Sequence, residues 1–333
     1  MTNRVIRNMG LGLTLAFGLA AIGMASKNAA SWSIIAAKDA PTARHEAAFS
    51  AHKEKLYLLG GRRINPVDVY DIKSNSWIKK SMAPREFHHV QMVTIGDAIY
   101  IIGAFEGRYP AEQPIDRVLI YYPKEDRFAE GAMIPKERRR GAAGIAVYNG
   151  KIYMLGGSTN GHIDGYQPWF DEFDPKTSVW RTLPDAPDPR DHFQSVVIGD
   201  KLYALGGRLT EQKIGKVFEN TVARGNVFNF KTGRWDAVDD APIIPTPRAG
   251  LIATGWKHWV VLAGGESGTR DTAHDEVEAF NTRTGKWESW PKFVRGRHGT
   301  GIALVKRKAY VAAGSGNRGG QPELDTIEAI KLP

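Results

Sequence analysis

Short apolar runs alternate with turn residues along most of the chain, and the runs recur in a fixed order. Each unit opens with a strand of alternating apolar and small residues, which a hairpin such as Tyr148-Asn149-Gly150-Lys151 or Ile198-Gly199-Asp200-Lys201 turns back. The returning strand ends in tyrosine-x-x-glycine-glycine at 57–61, 153–157 and 203–207, with variants at 261–265, 100–104 and 310–314. That makes six copies. Glycine at these ends permits positive φ and close approach of neighbouring backbones.

Two further marks keep a fixed offset. Arg44, Arg140, Arg190, Arg248 and Arg297 stand sixteen residues before the first position of the pair, with Phe87 in the second copy. Downstream, an apolar strand leads in six residues to an aromatic: Asp71 to Trp77, Tyr122 to Phe128, Asp174 to Trp180, Asn229 to Trp235 and Asn281 to Trp287. Four strands per unit predict a propeller blade. The sixth copy ends at Pro333 without its tryptophan strand, while Trp32, ahead of Ala40-Pro41 and Arg44, has no blade of its own. The Trp32 segment is therefore expected to close the ring as the outer strand of blade six, hiding two sheet edges.

These copies resemble kelch repeats over 31–333. The resemblance implies an all-β, six-bladed kelch β-propeller with four-stranded antiparallel blades, closed by the N-terminal outer strand. It says less about function, because propellers of this kind include sugar oxidases of the galactose oxidase type, a sialic acid mutarotase, glucosinolate specifier proteins and protein-binding scaffolds.

Before the repeats, Arg4 and Arg7 precede an apolar run from Met9 to Ala25, with small residues at Gly23 and Ala25. This reads as a signal peptide over 1–25, with a second possible cut after Ala30. A periplasmic or secreted protein with no stable membrane span after cleavage is expected. The chain carries a net charge of +9, of which Arg4 and Arg7 supply two. Together with export, that excess favours an acidic sugar or another anionic small molecule as partner over nucleic acid. The absence of cysteine removes disulfides and thiolate chemistry, and with them the tyrosyl–cysteine cofactor of galactose oxidase.

Propeller geometry places the chemistry. The arginine opens the innermost strand and the glycine pair ends its neighbour, so both belong to one face of the ring. The long loops at 106–116, 158–170, 208–226, 266–276 and 315–325 share that face. Residues just after the inner-strand start should ring the channel mouth, which gives His89, His192, His45 and Arg140 as candidate catalytic residues. Candidate ligand-binding residues are Arg44, His88, Asp191, Arg190, Arg248, Arg297, His298, Arg62, Arg208, Trp169, Tyr166, Glu266 and Arg318. Their guanidinium forks suit carboxylates and sulfates, and the aromatics suit sugar rings. A kelch-type arginine also serves as a structural residue that bonds neighbouring carbonyls. No cofactor is specified, but a divalent metal ion is compatible with His45, Glu46, His89, His192 and His298. Glu266, Asp271 and His274 carry a weak likeness to the iron-binding run of specifier proteins, with different spacing.

Three functions remain open on the sequence: a receptor for an anionic ligand, an enzyme on acidic sugars (a mutarotase, epimerase or lyase), and a protein-interaction scaffold.

Overall fold

The computed structural model describes Met1 and residues 30–332, so the expected signal peptide lies outside the described residues. Six four-stranded antiparallel sheets form the body. Blade one runs Ala47–His52, Lys55–Gly60, Pro66–Asp71 and Ser76–Met82 from the inside outward. The innermost strands of the next five blades are Met92–Ile95, Gly144–Tyr148, Ser195–Ile198, Ile252–Trp256 and Ile302–Val305. Ring closure occurs as expected: Ser33 pairs with Ala329 and Ile34 with Glu328, making the N-terminal strand the outer strand of blade six. Trp32 is buried there with its ring edge-on to Phe293 at 4.7 Å.

The fixed offset between arginine and glycine pair has a physical cause in two sets of bonds. Within a blade, Arg140 donates from Nε to the Gly156 carbonyl at 2.6 Å and Arg248 to the Gly264 carbonyl at 2.6 Å. Between blades, the second glycine donates its N–H to the carbonyl of the next blade's inner-strand start: Gly157 to Arg190 at 2.8 Å, Gly207 to Arg248 at 3.0 Å and Gly314 to Arg44 at 2.8 Å. A Cβ on Gly156 would lie 2.5 Å from the Arg190 oxygen, so a side chain cannot enter.

Each arginine also meets a polar residue on the third strand: Asp68, Asp171, Asn226, Glu278 and Glu328 for Arg44, Arg140, Arg190, Arg248 and Arg297. Blade two has neither partner. Phe87 replaces the arginine and Leu119 the acid, and both lie fully buried in one apolar cluster. An apolar pair of suitable volume is an accepted substitute for a buried ion pair.

Candidate functional site

The channel mouth is built on a repeated backbone feature. The residue two after each inner-strand start has a positive φ: Glu46 (56°), His89 (54°), Ala142 (53°), His192 (53°), Gly250 (58°) and Gly299 (63°). Neighbours in this ring are joined by N–H to carbonyl bonds, His89 to Glu46 at 2.9 Å, His192 to Ala142 at 2.9 Å and Gly250 to His192 at 2.7 Å. Left-handed backbone suits glycine, and a side chain there costs free energy. Glutamate and two histidines nevertheless occupy three of the six equivalent places.

Their side chains converge. The rings of His89 and His192 lie 4.9 Å apart, and both meet His162, from the blade-three loop, at 5.0 and 4.7 Å. Nε2 of His192 is 3.1 Å from Nε2 of His162. Each imidazole faces a second polar group: His192 Nδ1 lies 2.5 Å from Asp191, His89 Nδ1 2.6 Å from His88 Nδ1, and His162 Nδ1 3.0 Å from Glu112 but without hydrogen-bond alignment. Glu46 reaches His89 Nε2 at 3.2 Å. One ligand nitrogen from each of His89, His162 and His192 falls within 4.8 Å of the others.

Burial sets the protonation of this cluster. It lowers the imidazolium pKa of His88 to about 4, with Arg62 acting in the same sense, and that of His192 to about 4, with Arg208 adding to it. His89 is pushed well below its ordinary value for the same reason. For the carboxyls, burial alone would raise the pKa, but neighbours overcome it. Asp191 is lowered by His192, and Glu266 is held at about 2 by His298 and Arg208. Four carboxylates, Glu46, Glu112, Asp191 and Glu266, therefore face two guanidiniums, Arg62 and Arg208, across the mouth. The inner mouth is negative despite the basic chain.

The architecture and repeat are those of a known group. The profile of the KLHDC2/KLHL20/DRC7 Kelch-repeats domain matches residues 24–207 and 127–314. This chain belongs to the kelch-repeat family. Among curated relatives, Kelch-like protein terF of Aspergillus terreus is 25% identical over 287 residues, covering 81% of this chain and 61% of its own length. Kelch-like protein 40 of Xenopus tropicalis is 24% identical over 206 residues, covering 60% of this chain and 32% of its own length. The chain thus spans less than two thirds of these longer kelch proteins. The solved structure of YjhT superposes with a TM-score of 0.73 at 16% identity, covering 88% of this chain and 96% of that one, which speaks for the fold.

Within the kelch frame, the sequence-derived candidates separate into groups. His89, His192, His88, Asp191 and Glu46 come together at the axis. Arg44, Arg140, Arg190, Arg248 and Arg297 are fully buried and their terminal guanidinium nitrogens bond carbonyls and third-strand partners of their own blade, so they brace the blade and lie out of a ligand's reach. His45 stands apart, bonded to Glu323 at 2.8 Å, and His298 is tied through Nε2 to the carbonyls of Asn317 and Gly319. Arg208 pairs with Glu266 at 2.6 Å, Arg62 with Glu112 at 2.7 Å and Arg318 with Asp271 at 2.7 Å. The guanidinium of Arg138 lies over Trp169 at 4.5 Å, and Tyr166 sits in the short ribbon Ser158–Asn160 with Asp164–Tyr166. The specifier-like set does not assemble: His274 bonds Ser267 and Glu276, and Asp271 points to Arg318.

Two members of the site escape the repeat pattern, His162 and Glu112. Both sit in long loops of unequal length, where no offset from the arginine can place them. Their one signal is a titratable residue inside a long loop on the working face. The loop around Arg108 to Glu112 covers the imidazoles, with the His162 N–H donating to the Pro110 carbonyl at 2.9 Å and the Tyr109 ring 5.0 Å from His162. Beneath them, a void of about 40 Å³ is lined by Glu46, His89, His192, Gly250 and Gly299, among others. Gln91 and Gln194 cross the channel below, bonding inner-strand backbone of other blades, before it opens as a cavity of about 370 Å³ at the opposite end.

Proposed function

We propose that this kelch propeller is an exported protein that binds a small anionic molecule, an acidic sugar foremost, at the loop end of its channel. The observation that carries the reading is the convergence of His89, His192 and Glu46 at ring positions whose backbone favours glycine. Packing gives no reason to place titratable side chains there, whereas a ligand site does. Above them, Arg108 and Tyr109 are exposed, and Arg108 has no acidic partner among the described residues. An arginine beside a half-exposed tyrosine offers a carboxylate clamp next to a stacking surface.

Titration of the full chain with acidic and neutral sugars by calorimetry tests this. Binding of the acidic member that is weakened in Arg108→Ala and in His192→Ala is expected. No heat with any acidic sugar, or wild-type affinity in both variants, contradicts it.

A second reading, an enzyme on such sugars, is favoured by the Asp191–His192 pair. With Nδ1–H directed to the carboxylate, Nε2 of His192 is the basic atom, the arrangement of a general base. Turnover of the bound sugar, lost in Asp191→Asn while binding remains, selects the enzyme over the receptor.

A further inference from the structure

We propose that His89, His162 and His192 bind one divalent first-row transition metal ion at the loop end of the channel. The inference deepens the proposed function and rests on its reading that this mouth is the working end.

Counting protons through the cluster carries it. Nε2 of His88 faces the Gly107 carbonyl at 3.1 Å, so that nitrogen holds the proton and Nδ1 is bare. Nδ1 of His89, 2.6 Å away, must then be the donor between them, which leaves Nε2 of His89 bare. That bare nitrogen faces a carboxylate oxygen of Glu46 at 3.2 Å, acceptor against acceptor.

The second branch has the same defect. Nδ1 of His192 donates to Asp191, leaving Nε2 bare 3.1 Å from Nε2 of His162. If His162 holds its proton on Nε2, its bare Nδ1 lies 3.0 Å from the Glu112 carboxylate. If it holds the proton on Nδ1, two bare Nε2 atoms face each other. Nδ1 of His162 is in fact a buried atom without a hydrogen-bond partner among the described residues.

Both branches call for positive charge where Glu46, Glu112 and Asp191 face the three imidazoles. Two imidazolium ions with rings 5.0 Å apart or less would repel one another in a buried site. One divalent ion satisfies both branches at once. Nitrogen ligands at about 2.0–2.1 Å around a tetrahedral metal lie about 3.3 Å apart, close to the His162–His192 separation. His89 closes the remaining distance by a small ring movement. Asp191 behind His192 and Glu112 behind His162 supply the carboxylates that orient metal-bound imidazoles. Neutral imidazole suits zinc, copper, nickel or iron.

The test uses untagged, chelator-stripped full chain, titrated with zinc chloride by calorimetry and with cobalt(II) by visible absorption. One ion per chain and a cobalt band of tetrahedral intensity are expected. His162→Gln and His89→Gln, checked for folding by circular dichroism, should lose the site. Asp191→Asn should weaken it by about 10–100-fold. His258→Gln, at the opposite end, should bind as wild type, and zinc should raise the Tm of wild type but not of His162→Gln. A folded wild type that takes up neither zinc, cobalt, copper, nickel nor iron overturns the proposal, as does unchanged uptake in folded His162→Gln and His89→Gln. The sugar titration is read separately. Sugar binding by a protein that takes up no metal removes this inference and leaves the proposed function; metal uptake without sugar binding does the reverse.

Discussion

Nε2 of His162 and Nε2 of His192 lie 3.1 Å apart, although one residue comes from a blade-three loop and the other from the inner-strand start of blade four. The propeller brings about this meeting. Its ring fixes His192 and His89, and the loops, anchored by backbone bonds such as His162 N–H to the Pro110 carbonyl, deliver the third imidazole from above. A rigid ring with variable loops separates stability from chemistry, which is why the two can be tested by different substitutions.

The first prediction concerns the blade contacts. Gly156 has a φ of 63° and no room for a Cβ. Gly156→Ala should cost at least about 1–3 kcal/mol in urea unfolding, through strain together with the clash on the Arg190 carbonyl. A variant as stable as wild type would show that the blade junction yields.

Blade two predicts the behaviour of the buried ion pairs. Arg248→Phe leaves Glu278 buried without its cation, a loss of about 3–5 kcal/mol. Adding Glu278→Leu, to imitate Phe87 with Leu119, should recover much of that loss. A double-mutant cycle with no coupling between the two positions contradicts this account. By contrast, Arg318→Ala removes a pair whose acid is almost fully exposed, and should shift stability by less than about 1 kcal/mol.

Ring closure gives a third. Trp32→Ala removes a buried side chain between blades five and six and should cost about 3–5 kcal/mol. Loosening that strand also bares the edge at Ile327–Lys331, so the variant should form soluble aggregates on size exclusion. An elution peak and Tm unchanged from wild type would mean that the N-terminal strand is dispensable.

Acid stability can be assigned to a group away from the mouth. Burial alone would raise the Glu276 carboxyl, but backbone bonding and Arg270 hold it at about 2, below its ordinary value of 4.5. A depressed carboxyl stabilises the fold above its unfolded value and loses that contribution as pH falls through the folded one. Glu276→Gln should therefore be less stable than wild type at neutral pH, with the gap closing between about pH 4.5 and pH 2. A gap that is constant across that window would exclude the charge as its cause.

The fold was legible because a propeller repeats its constraints. Arginine, glycine pair and aromatic recur at fixed offsets since each makes the same bonds in each blade, and Trp32 could be assigned to blade six by its place in that order. The polar partners were equally legible, for Asp68, Asp171, Asn226 and Glu278 each stand nine residues before their tryptophan, and Leu119 stands nine before Phe128. Without that pairing the five arginines pass as ligand donors. The ring positions of His89 and His192 follow from the repeat, whereas His162 and Glu112 lie in loops with no counterpart in other blades. Periodicity cannot reach them. Nor does the overall positive charge reveal the negative inner mouth, because surface cations and buried acids are counted alike in a sequence.

The most direct measurement is of histidine side-chain NMR resonances in the full chain during titration with an acidic sugar. The account predicts that His89, His162 and His192 shift together while His52 and His258, in hairpins at the other end of the channel, stay in place. Shifts confined to His52 and His258, or absent throughout at saturating sugar, would place the working site elsewhere and contradict it.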